Sequence, residues 1–145
     1  MTYTPNAPIN VKNFVQVQGN THGDVKPVVG GVAMKDGTFI VDNGFGLFVQ
    51  ATAATATAGK PVFLLVEPTS LTTAAGKLVG VVEAKDQKFV VKFKVEGGTF
   101  TSADIGKRVS FGATGVGLDV DTVVATGPFI ITSFISASEG EARLV

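Results

Sequence analysis

The sequence predicts an all-β fold. Three observations carry that expectation: the make-up of the apolar residues, the spacing of the turn residues, and one segment whose side chains alternate almost strictly. The 145 residues include 23 Val, 16 Thr and 11 Phe against only 7 Leu, a β-branched and aromatic excess that suits the pleated, half-buried surface of a sheet. The 18 Gly and 6 Pro recur between short apolar runs, as turns do between many short strands. In residues 88–95, Phe89, Val91, Phe93 and Val95 share one face of an extended chain while Lys88, Lys92 and Lys94 share the other. The expected architecture is a compact β-barrel or β-tulip/sandwich of short antiparallel strands with an extended N-terminal arm.

Residues 1–30 read as the arm. Pro5, Pro8 and Pro27, the asparagines 6, 10, 13 and 20, and the polar cluster at 19–24 leave room for one short strand at 14–18. A single β-rich body follows over residues 31–145. Strands are expected at 28–34, 38–42 and 45–50, joined by turns at Asp36-Gly37 and Asn43-Gly44. The Ala/Thr stretch 51–58 is too small-featured to supply core volume and reads as a surface loop or a flat contact surface. Residues 61–66 are apolar on both parities, so both faces of that strand should be covered. A strand at 78–84 turns at 85–87 into the lysine-bearing strand. The last third predicts strands at 108–112, 120–125 and 129–135, the final one again covered on both sides, by a second sheet layer or a neighbouring subunit. Helix is confined to one turn at 102–106, with Ser102 as cap and Gly106 as terminator. Residues 58–62 (Ala-Gly-Lys-Pro-Val) echo residues 105–109 (Ile-Gly-Lys-Arg-Val), which suggests two related β-units within the body.

Charge narrows the function classes. Twelve Lys and Arg balance twelve Asp and Glu, so the chain lacks the basic excess expected of a binder of nucleic acid or of an anionic membrane. The lysines 85, 88, 92 and 94 form the one basic stripe. Stacking proteins place aromatics beside such lysines, whereas here Phe89 and Phe93 point the opposite way, so the stripe reads as a solvated face. No run approaches the roughly 18 apolar residues that would span a bilayer. Residues 1–8 carry neither a basic nor an apolar signal region, which predicts a chain made and kept in a cytoplasm.

No constellation of reactive residues stands out, and the expectation is a protein that is not an enzyme and that needs no cofactor or metal. There is no Cys and one His, which excludes thiolate and multi-His sites. His22 lies in a Gly- and Asn-rich stretch, poorly placed for a base that must be held by packing and an orienting carboxylate. Asp119 and Asp121 would share one strand face, but no oxygen-rich calcium loop surrounds them. The Gly-rich run 112–117 lacks the Lys-Ser or Lys-Thr and the following helix of a phosphate loop and reads as a hairpin.

Residues 100–109, Phe-Thr-Ser-Ala-Asp-Ile-Gly-Lys-Arg-Val, resemble a phrase common in the small head decoration, or cement, proteins of tailed bacteriophages, where a polar turn of this kind leads into a strand. Residues 75–82, Ala-Gly-Lys-Leu-Val-Gly-Val-Val, are similar to a strand of the same proteins. The resemblance implies a virion structural protein that binds the outer capsid surface and stabilises the expanded head by bridging neighbouring major capsid subunits. It also implies a homo-oligomer, by preference a trimer. Tyr3, Pro5, Pro8, Phe14, Val15 and Val17 would then contact the capsid or a sister subunit. The family order differs here, because a lysine-bearing strand precedes the Asp-Ile-Gly-Lys turn. A competing reading is a small carbohydrate- or receptor-binding β-domain of a phage fibre or bacterial surface, weakened by the absence of Trp and by a single Tyr.

Overall fold

The structure is a computed structural model that describes residues 13–18, 21–56, 60–84 and 89–145, and these are built almost wholly of strands and their connections. In order they are β1 (Phe14–Gln18), β2 (Thr21–Pro27), β3 (Phe39–Asp42), β4 (Phe48–Gln50), β5 (Phe63–Leu65), β6 (Leu78–Ala84), β7 (Val90–Gly97), β8 (Arg108–Phe111), β9 (Leu118–Asp119), β10 (Phe129–Ser136) and β11 (Glu139–Leu144). One sheet runs β1-β7-β11-β10-β8-β9, and β9 pairs back onto β7. Strands β7 to β11 therefore close a five-stranded barrel, with β1 added on the outside of β7. The other sheet runs β2-β6-β5-β3-β4, and its two ends meet at one parallel bridge between Val28 and Phe48.

The two five-stranded sets are congruent. In each, the first strand pairs with the fifth, the fifth with the fourth, the fourth with the second and the second with the third, which returns in parallel to the end of the first. The registers correspond as well. Ile40 lies opposite Phe63 as Val109 lies opposite Phe129. Leu65 faces Val81 as Ile131 faces Ala142, and Leu64 faces Val82 as Ile130 faces Arg143. Asp42 faces Phe48 as Phe111 faces Leu118. The echo between residues 58–62 and 105–109 lies out of step with this correspondence, because Val62 leads into a fourth strand while Val109 belongs to a second one.

Two cores follow from the parity of the central strands. Ile40, Phe63, Leu65, Val79 and Val81 turn inward within the first set, together with Val28, Met34 and Phe48. The alternate residues Phe39, Val41, Val62 and Leu64 turn outward, against the second set, and join the barrel interior formed by Phe89, Val91, Phe93, Val109, Phe111, Leu118, Phe129 and Ile131. Both faces of β5 are thus covered, as its double apolar parity predicts. At the junction the ring centroids of Phe14 and Phe39 are 4.9 Å apart, and those of Phe111 and Phe129 are 5.3 Å apart, both edge-on. Such pairs contribute about 0.5–1.5 kcal/mol each beyond the area they bury. Gly115 completes the seam: its φ is +79°, and a Cβ there would fall 2.1 Å from the Ala51 carbonyl oxygen, so only glycine lets this hairpin approach the first set.

Several expectations are corrected. Within the span expected as the arm, where the sequence predicts one short strand, two form: β1 and β2 are members of the two sheets. Residues 1–12 lie outside the described residues. No strand forms at 29–34, because consecutive backbone groups go to different elements, Val29 N–H to Phe48, Gly31 N–H to Thr73 and Met34 N–H to the Thr69 hydroxyl. Residues 120–125 bend away after the short β9, with Val120 N–H held by Gly97 and Val124 N–H by Arg108. The last apolar run is not covered along its whole length: Phe129 and Ile131 are buried and Ile130 half-buried, but Phe134 and Ile135 at its far end are exposed. The expected helical turn, Ser102–Asp104, is a 3₁₀ turn whose cap is Thr101, not Ser102; the Asp104 carboxylate accepts a hydrogen bond from the Thr101 N–H at 2.9 Å and pairs with Lys107.

Phe14 is fully buried, and its ring touches those of Phe39, Phe111 and Phe129. Phe14→Ala is expected to cost about 3–5 kcal/mol in urea unfolding, against less than about 1 kcal/mol for Val17→Ala on the exposed side of the same strand.

Candidate interaction surface

The groups that chemistry would use are largely committed to the fold. Asp119 accepts a hydrogen bond from the Asp121 N–H at 3.0 Å, and Asp121 accepts one from the Thr99 N–H at 3.2 Å. The Asp-x-Asp pair thus pins the bend after β9 to the turn after β7. Glu96 does the same for the loop at 112–117. Its carboxylate accepts from the Thr114 N–H and hydroxyl, each at 2.6 Å, and from the Gly117 N–H at 3.1 Å. Burial alone would raise the Glu96 pKa, but the hydrogen bonds from Thr114, Gly117 and Val116 outweigh it and hold the group below its ordinary value. The glycine-rich run therefore is a hairpin between β8 and β9 whose N–H groups converge on a carboxylate of the protein itself. Backbone pairing places His22 in β2, opposite Glu83. Among the described residues no group of three or more His, Asp or Glu is arranged to hold a metal ion.

The basic stripe is also tied down. Lys92 and Lys94 lie on the outer face of β7, as the alternation predicts, and Lys92 pairs with Glu139 of β11 at 2.9 Å. Burial first, and Lys35 second, push the Lys94 pKa down against the opposing pull of Glu139. Lys85 and Lys88 lie outside the described residues.

What stands out on the surface is apolar. Phe45 is 90% exposed at the tip of the β3–β4 hairpin. The tip is built by side chains acting as backbone acceptors: Asp42 takes the Gly44 N–H at 2.6 Å and the Gly46 N–H at 3.4 Å, and Asn43 takes the Phe45 N–H at 2.8 Å and the Leu47 N–H at 3.4 Å. Gly44 and Gly46 both adopt positive φ on either side of the ring, which lets so short a loop reverse. The aromatic side chain is thus held out in water by a locally hydrogen-bonded loop. The sequence places residue 45 in a strand. The signal that it is a tip is the pairing of two Asx residues with two glycines around one Phe.

Of the six contact residues expected from the sequence, Tyr3, Pro5 and Pro8 lie outside the described residues. Phe14 is spent on the core and offers nothing to a partner. Val15 and Val17 are 42% and 45% exposed on the outside of β1. The chain matches no family model, no curated protein and no solved structure.

Because the Glu96 pKa is lowered on folding, the stabilisation it gives is fully present above the ordinary glutamate range and is lost as pH falls through the lowered folded value. Thermal melts across that acid range should show Glu96→Gln converging on the wild type as pH falls. At neutral pH the variant should melt lower, and an unchanged gap between the two at all pH values would contradict this role.

Proposed function

We propose that the chain is a virion structural protein that docks on the outer capsid surface of a tailed bacteriophage and bridges neighbouring major capsid subunits. The observation that carries the reading is Phe45, an aromatic ring 90% exposed on a hairpin tip braced by four hydrogen bonds. A rigidly presented aromatic pays little ordering entropy when a partner closes over it, and buried aromatic anchors of this kind dominate binding energies. The exposed Val15 and Val17 on β1 add a second apolar contact, and weak contacts repeated over a symmetric shell multiply. The resemblance of residues 100–109 to the decoration-protein phrase supplies the capsid as the partner. In this chain that phrase is the Thr101–Asp104 capping box leading into β8.

Co-sedimentation with expanded capsids of the phage encoding the chain tests the reading. The wild type should pellet with capsids, and Phe45→Glu should lose about 2 kcal/mol or more of binding while its circular dichroism and melting point are kept. Contacts through Tyr3, Pro5 and Pro8 belong to the same proposal: deleting residues 1–12, which spares Asn13 and its buried hydrogen bond to Thr38, should weaken pelleting without unfolding the body. A wild type that stays in the supernatant sinks the capsid assignment.

A further inference from the structure

The congruence of the two five-stranded sets exposes one difference between them. In the barrel, the outer edge of the first strand, β7, is covered by β1, which pairs antiparallel with Val90–Phe93 and sets Val15 opposite Lys92. In the other set the corresponding strand is β2, and among the described residues it ends the sheet. Superposing registers through the closing bridges makes Val28 equivalent to Val95, and hence Val25 equivalent to Lys92. Val25 is 50% exposed, and a side chain built at Gly23 would meet nothing within 4 Å.

The direction of the edge groups is fixed by their neighbours. Gly80, opposite Val25 on β6, turns its carbonyl to β5, where it accepts from Val66 and Glu67 at 3.0 and 3.2 Å. Val25 correspondingly turns its N–H away from β6, onto the Asp24 carboxylate at 2.8 Å. Residues 23, 25 and 27 therefore present their backbone groups outward, as β-strand addition requires.

We infer that β2 pairs antiparallel with β2 of a second copy of this chain, about a two-fold axis through Val25. Charge selects both the occupant and the register. Two-fold registers that set the outward-facing residues 23, 25 and 27 of β2 against one another centre on one of residues 23–27; centring on Pro27 leaves no N–H donor at the axis and centring on Gly23 carries Lys26 past the end of the other β2, so three are left. Centring on Asp24 opposes two carboxylates, and centring on Lys26 opposes two ammonium groups. Centring on Val25 sets Val25 against Val25 and each Asp24 against the other copy's Lys26, where opposite charges stabilise the pair. In that register the Val25 N–H exchanges the Asp24 carboxylate for the second copy's Val25 carbonyl, and each Gly23 N–H donates to the other's Pro27 carbonyl. Pro27, which has no N–H, faces only an acceptor it can leave to solvent. The Asp24–Lys26 ion pair within one chain, 3.4 Å long, becomes a four-charge alternating cluster across the axis. Val66 and Leu78, both exposed, flank Val25 on the outer face of this sheet and extend the apolar strip across the axis. The inference is independent of the capsid reading and gives a two-fold arrangement where the family resemblance implies three-fold.

Sedimentation equilibrium on the full chain tests it. The wild type should have the mass of a dimer. Asp24→Lys, which opposes like charges at both ends of the pairing, should raise the dissociation constant about a hundredfold. The swap Asp24→Lys with Lys26→Asp should restore the dimer, because it reverses every pair and keeps the pattern; a circular dichroism spectrum and melt confirm that each variant is folded. A monomeric or trimeric wild type, or a dimer that Asp24→Lys leaves intact, overturns the inference. Failure of the swap to restore association while folded does so too.

Discussion

Everything else in this molecule depends on the contact of four phenylalanine rings from three places in the chain. Phe14 comes from β1, Phe39 from the first five-stranded set, and Phe111 and Phe129 from the barrel. Their centroids lie 4.9 to 6.0 Å apart, mostly edge-on, with Phe14 and Phe129 stacked. A five-stranded set of this size encloses little by itself, and each set alone would leave one sheet face open to water. Packing the outward face of β3 and β5 against the barrel mouth converts two marginal cores into a continuous one. The consequence for sequence is strict, because β3 and β5 must be apolar on both parities, and Phe39-Ile40-Val41 and Phe63-Leu64-Leu65 are.

The legible parts of the fold are those where a strand's own side chains declare its environment. The alternation after Phe89, the double parity of 61–66 and the apolar start of β10 are visible because burial on one or both faces leaves a period in the sequence. β2 and β11 were invisible for the converse reason. Thr-His-Gly-Asp-Val-Lys-Pro and Glu-Gly-Glu-Ala-Arg-Leu carry turn formers and charges, and they are strands because β6 holds one, and β7 and β10 hold the other between them. Tertiary pairing overrides weak propensity there. Residues 28–34 failed in the opposite sense: Val28-Val29 looks extended, but Gly30 packs on the Ala75 backbone and Gly31 turns with φ +73°, which spends the segment on links to three other elements. The congruence of the two sets left almost no trace in sequence, since what it preserves is register and inward parity. Positions such as Val91 and Asp24 occupy the same place with opposite chemistry.

The surface follows from how the charges are used. Asp42, Glu96, Asp104, Asp119 and Asp121 accept backbone N–H groups at bends and hairpins, and Lys92 and Lys107 pair with carboxylates. Several of the charges that sum to zero are thus engaged in holding loops and strand faces. On the proposed capsid reading docking falls to apolar projections, of which Phe45 is obscured in the sequence by its neighbour β4 and Val15 and Val17 are readable from the short strand at 14–18. Phe14, one residue earlier, has the same local signature and the opposite fate, because strand parity is decided by which side the core lies on.

The central claim is that two congruent sets form one cooperative structure through their shared aromatic core. Native-state hydrogen exchange at increasing denaturant addresses it most directly, comparing amides of β3 and β5 with those of β8 and β10. The account predicts that the slowest amides of both sets merge into a single isotherm with one free energy and one denaturant slope. Two isotherms, with the first set opening at lower free energy while the barrel stays protected, would contradict it.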